Sequence, residues 1–162
     1  MRWNEFVEAC PTIAGLAEER FQRDQLVMIG TLRADGSSRI SPCEVDFAEG
    51  QLFLGMMWRS KKALDLLRDP RVVVHSVTCN KEGTDGDVKL YGRAFDVVTP
   101  EARAAFREAI HARSGWAPQE PNHHVFTFEV HMASYVVFGN ERRVLAWDRS
   151  DGLRELPFPE AE

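Results

Sequence analysis

The chain has 162 residues, 44% of them hydrophobic and 28% charged, with a formal net charge of −5. That length suits one domain, which can bury about two-thirds of its unfolded surface without covalent staples. An acidic surface argues against general binding to nucleic acid or anionic membranes, which need basic patches, and no run approaches the ~20 apolar residues of a membrane helix.

In chain order, Phe6, Ala9, Ile13, Leu16, Ala17 and Phe21 recur at helical spacing, and Pro11 suits the first turn of a helix. Residues 26–33 form a short apolar run, followed by Asp35-Gly36, a dipeptide that tolerates positive φ in hairpins. Residues 38–47 and 51–57 read as strands around a Glu49-Gly50 turn, completing an antiparallel meander. Ser60 is placed to cap a helix through Arg68, with Leu64 and either Leu66 or Leu67 facing the sheet and Asp69-Pro70 ending it. Residues 71–77 are a fourth strand, whose valine run predicts burial on both faces, and 80–87 a polar mobile loop. Residues 88–98 are a long fifth strand in which Gly92 signals a bulge or a close backbone approach. A helix follows from Thr99-Pro100 to about His111, then an irregular connection over 112–123. Residues 125–130, 135–138 and 143–147 read as three strands, and the tail beyond Ser150, with Pro157 and Pro159, as loop. About seven strands and about three helices, joined mainly by hairpins, predict a mainly β (α+β) antiparallel barrel in a single domain over 1–162. Residues 1–24 are its N-terminal helical segment and 148–162 its C-terminal tail.

The cluster Arg59-Ser60-Lys61-Lys62 stands where a helix begins. Helix N-termini present unpaired N–H groups and partial positive charge, so cations there are mildly unfavourable unless an anion joins them. A basic cluster at this place, in an acidic protein, therefore predicts a local anion site.

The order strand, Asp-Gly turn, strand, Glu-Gly turn, strand, basic helix start resembles the pyridoxamine 5′-phosphate oxidase-like family of FMN-binding split barrels. The matching residues are Gly30-Thr31-Leu32-Arg33 with Asp35-Gly36, Arg39-Ile40-Ser41-Pro42, Asp46-Phe47, Gly50, and Ser60-Lys61-Lys62 ahead of Leu66 and Asp69-Pro70-Arg71-Val72. The resemblance implies an FMN-dependent oxidoreductase, with a deazaflavin coenzyme or haem as alternative cofactors, or a non-enzymatic binding module of the same fold. It places the cofactor phosphate at Ser60, Lys61 and Lys62 with Arg59, brings Arg39 within reach of it, and sets the ring against Ser41, Met56, Met57 and Trp58. It further implies a homodimer with the cofactor at the interface, to which Trp147 and Arg154 of the neighbouring subunit contribute. Two features depart from the pattern: Asp65 stands where many members carry Asn, and Met56-Met57-Trp58 is bulkier and more apolar than usual.

No catalytic constellation is legible, since GxSxG, GxGxxG and phosphate-loop patterns are absent. His123 and His124, adjacent on a strand, point to opposite faces and are poorly placed to share a metal, and His75 reads as a hydrogen-bonded core residue. Cys10, Cys43 and Cys79 form no zinc spacing and read as buried or spectator thiols of a reducing compartment. Glu5, Glu8, Glu18 and Glu19 break up any secretory apolar core. The expectation is a cytoplasmic protein whose partners are a flavin nucleotide and a small-molecule substrate.

Overall fold

The structure is a computed structural model that describes residues 1–78 and 80–158. Cys79 and Pro159 therefore lie outside the described residues, while Cys10 and Cys43 are buried free thiols. The elements are α1 (Trp3–Ala9), α2 (Pro11–Asp24), β1 (Leu26–Leu32), β2 (Ser38–Ala48), β3 (Gln51–Met57), α3 (Lys61–Arg68), β4 (Arg71–Ser76), β5 (Asp87–Asp96), α4 (Pro100–Ser114), β6 (His123–Val137), β7 (Arg143–Asp148) and β8 (Gly152–Leu156). The antiparallel sheet runs β3-β2-β1-β4-β5-β6-β7-β8, and a further β3–β6 pairing closes the first six strands into a barrel. No helix among the described residues is long and apolar enough to cross a membrane.

The segment before β1 holds two helices, because Cys10 adopts a non-helical backbone ahead of Pro11, which starts α2. In β4 Val72, Val74 and Ser76 are buried, so the valine run alternates; Val73 and His75 are half-covered, and His75 faces Asp87 rather than the core. The polar loop is fastened to the barrel: Arg20 donates to the carbonyls of Asp85 and Gly86, and its guanidinium lies over Tyr135. The tail forms β8, paired with β7 as a hairpin.

The two strands expected over 125–138 are one 15-residue strand, β6. Tyr91 pairs with Met132 but Gly92 with Val130, so His131 is an extra residue bulged out of the ladder. Burial passes from Phe126, Phe128 and Val130 to Ala133, Tyr135 and Val137 across it. That phase reversal breaks the period-2 pattern and imitates a strand boundary. Gly92 is obligatory at the bulge, since a Cβ there would stand 1.9 Å from the Glu129 carbonyl oxygen.

The two ends of the barrel are sealed differently. Helix α2 places Ile13, Ala14, Ala17 and Phe21 in the main core, at the end where β1 begins. Helix α3 closes the end where β1 finishes, with Ala63 and Leu66 in the same core. Leu67 is exposed, so Leu66 is the inward leucine. A second core lies outside the barrel, where Phe106 and Ile110 of α4 meet Phe53 and Val125.

Candidate functional site

The chain leaves β3 through a tight turn in which the Ser60 N–H donates to the Met57 carbonyl and Arg59 takes φ of 53°. A left-handed arginine costs roughly 1–2 kcal/mol, and such strain gathers at functional sites. The turn makes Ser60 the N-cap of α3, with its carbonyl accepting from Leu64. Its hydroxyl does not cap the helix as the sequence predicts. Ser60 Oγ is buried with no hydrogen-bond partner among the described residues. An orphaned hydroxyl beside free helix N–H groups suits an oxygen-rich anion.

The basic residues divide into two sets. Arg59 and Lys61 are exposed, and no ion pair holds either among the described residues. Lys62 bends back so that its ammonium donates to the Pro42 carbonyl on β2. Arg39, at the start of β2, donates from Nε to Asp65 Oδ2 at 2.6 Å. Asp65 also accepts from the Thr31 hydroxyl at 3.0 Å and from Arg68 at 3.3 Å. The acid that departs from the family pattern is thus a buried hub tying β1, β2 and α3 together. Burial pushes its carboxyl up, but the hydrogen bonds from Arg39, Thr31 and Arg68 outweigh burial and hold it below the usual range.

Beside the start of α3, a cleft of about 320 Å3 runs over the outer face of β2 and β3. Pro42, Met57, Phe106 and Trp116 supply its apolar walls, and Lys62 and Glu44 its charges. Gly55 forms part of its floor, where a Cβ would meet the Phe106 ring at 2.7 Å. Cys43 donates its thiol to the Gly55 carbonyl, and burial raises its pKa to about 12, so it is no nucleophile.

Trp58, half exposed, stacks face to face on His124, with centroids 4.5 Å apart and planes 9° from parallel. His124 Nε2 is buried without a partner, and burial depresses its pKa, with Arg103 and Arg59 acting in the same direction against Asp96. His123 faces the other side of β6, over Phe106, where Glu120 and Arg103 surround it. Burial lowers the His123 pKa as well.

The structure therefore gathers Arg39, Ser41, Met56, Met57, Trp58, Arg59, Ser60, Lys61 and Lys62 at the α3 end of the barrel. Met56 points into the core and Met57 outward. Trp147 and Arg154 are not brought there. Trp147 packs edge-on against Phe6 in the main core, because β7 turns its indole inward and leaves it no face for a neighbouring subunit. Arg154 is exposed and paired with Asp148 and Asp151. Sequence reasoning weighed His124 as a metal ligand and left it out of the site; alternation with Phe126 and Phe128 was the signal that sets it on the inward face of β6.

A six-stranded antiparallel barrel sealed by a helix with a basic start is the architecture of a split-barrel protein. The sequence matches the profile described as pyridoxamine 5′-phosphate oxidase over residues 14–137, and the chain belongs to that family. Among solved structures, a pyridoxamine 5′-phosphate oxidase-related, FMN-binding protein of Nostoc punctiforme is similar, with a TM-score of 0.70 and 16% identity over 91% of this chain and 95% of that one. ChuZ of Campylobacter jejuni gives a TM-score of 0.74 at 11% identity over 90% of this chain and 63% of its own. A heme-binding protein of Mycobacterium smegmatis gives 0.59 at 20% identity over 80% of this chain and 56% of its own. The chain thus spans less than two-thirds of the last two relatives. A search of curated proteins by sequence finds no match.

Proposed function

We propose that this protein is an FMN-binding oxidoreductase that transfers a hydride, or two electrons, to or from a small molecule. One observation carries the reading: the buried, unpartnered Ser60 Oγ at the start of α3, with Arg59, Lys61 and Lys62 around it. These residues fit a phosphate monoester, and the apolar cleft adjoining Lys62 fits a flat ring. FMN supplies the redox chemistry when bound. The chain's own residues hold the phosphate at Ser60, Lys61 and Lys62, wall the ring with Met57, and exclude water through Phe106 and Trp116. No side chain is assigned as proton donor.

Exposed Tyr91 and Met132 face each other across β5 and β6, with Phe95 further along β5, which supports a homodimer through that face. Sedimentation velocity measures it. A cytoplasmic location accords with the family's use of a diffusible nucleotide.

Calorimetric titration with FMN and with riboflavin tests the phosphate grip. Replacing Lys61 and Lys62 by Ala is expected to weaken FMN binding by at least tenfold, since charge-assisted hydrogen bonds are worth about 1.5–3 kcal/mol each. The melting temperature of the ligand-free form should not fall. Unchanged FMN affinity in the double variant would defeat the assignment. The absorption spectrum of ligand bound to the purified protein separates FMN from a deazaflavin.

Haem binding is the second reading, and it draws on the buried, unpartnered Nε2 of His124. A Soret band on haem addition that disappears in His124→Ala supports it, and absence of any band removes it.

A further inference from the structure

The hydrogen bonding of Asp65 assigns it a role in the proposed phosphate site, and the inference rests on that FMN reading. Asp65 takes Arg39 by Nε alone, at 2.6 Å. The Nη1 and Nη2 groups of Arg39 have no hydrogen-bond partner among the described residues, and the side chain is 23% exposed. A guanidinium gripped at Nε is fixed in plane, with its terminal fork left free for two parallel hydrogen bonds. Arg39 and Ser41 lie on the same face of β2, at the end of the barrel that α3 closes.

Asp65 itself is held from other sides. The Thr31 hydroxyl bonds the same Oδ2, and Arg68 bonds Oδ1 while donating also to the Leu32 carbonyl. A buried carboxylate fixed by β1 and by its own helix is a rigid mount for a third group. We propose that Asp65 is a positioning residue: it orients Arg39 so that the free Nη pair engages the phosphate monoester held at the start of α3. The competing arrangement is a counter-ion that neutralises Arg39 and lowers anion affinity. The two predict opposite signs.

The measured quantity is the preference for FMN over riboflavin, which isolates the phosphate contribution and uses riboflavin as the reference for an intact ring site. In Asp65→Asn the preference is expected to fall about tenfold. In Arg39→Lys, which keeps the charge but loses the fork, it should fall similarly. The double variant should lose no more than either single one, because both act through one contact. A preference that is unchanged or raised in Asp65→Asn, or additive losses in the double variant, overturns the proposal. Should Asp65→Asn fail to fold, Arg39→Lys decides alone: its position is part-exposed, and an unchanged preference overturns the role. A wild-type protein that binds FMN no more tightly than riboflavin removes the phosphate reading itself, and this inference with it.

Discussion

Gly92 shows how one residue can fix a topology. Its missing side chain admits the Glu129 carbonyl at the bulge, so Gly92→Ala forces either backbone movement or loss of the β5–β6 ladder. Destabilisation of at least about 3 kcal/mol, or failure to fold, is expected; chemical denaturation measures it, and a change below about 1 kcal/mol would refute the account. Gly92 was legible because a glycine inside a strand has few other uses. Ser60 was half legible: its place before the helix followed from local rules, whereas the freedom of its hydroxyl depended on tertiary surroundings. Asp65 and Trp147 were not legible. The partners of Asp65 come from β1 and β2, and the burial of Trp147 depends on Phe6, 141 positions earlier in the numbering. Local sequence holds no trace of such pairings.

At the scale of elements, turns and hairpins were read well, since β1 to α3 follow from dipeptide punctuation and period-2 patterning. Errors arose where periodicity broke. The bulge at His131 divided β6 on paper, and the polar residues of β8 disguised a strand that pairs on one side only. Helix α4 outlasts its expected end because Gly115 caps it in a left-handed conformation and Arg113 anchors it. Arg113 grips Asp46 of β2 with two bonds, at 2.9 and 3.0 Å, and this carboxylate is buried. Arg113→Met should cost about 1–3 kcal/mol, given the unpaired carboxylate left behind. Faster hydrogen exchange in α4 is expected as well, with β4 unaffected. Equal exchange in α4 would show that the clasp contributes nothing to holding Phe106 over the cleft.

For the whole molecule, acid acts in two stages. The folded-state pKa values of His123, His124 and His131 are lowered from 6.5, chiefly by burial, so the unfolded chain takes up protons first as pH falls below about 6.5. Stability therefore declines from there towards the folded-state values. The carboxyls of Asp65 and Glu120 are also lowered, by their arginine partners, and Asp69 falls to about 2 beside Arg71. Their contribution is present at neutral pH and is lost below about 4.5, as the unfolded carboxylates protonate before the folded ones. Both stages have the same sign, so denaturation midpoints should fall steadily from pH 7 to pH 3. A rise anywhere between pH 6.5 and 5 contradicts the burial of the histidines. The sequence alone conveyed a single barrel; it could not convey this titration, which arises from assembled surroundings.

The Trp58–His124 stack also makes the molecule its own optical reporter. Of the four tryptophans, Trp3 and Trp147 are buried in the core, and among the described residues only Trp58 stacks on an imidazole. A protonated imidazole quenches an indole in face-to-face contact, whereas a neutral one does so weakly. The emission lost on replacing Trp58 by Phe should therefore shrink as His124 takes up its proton below pH 6.5. The same emission should fall when a flavin occupies the cleft lined by the preceding residue, Met57, which gives ligand occupancy and histidine charge from one spectrum.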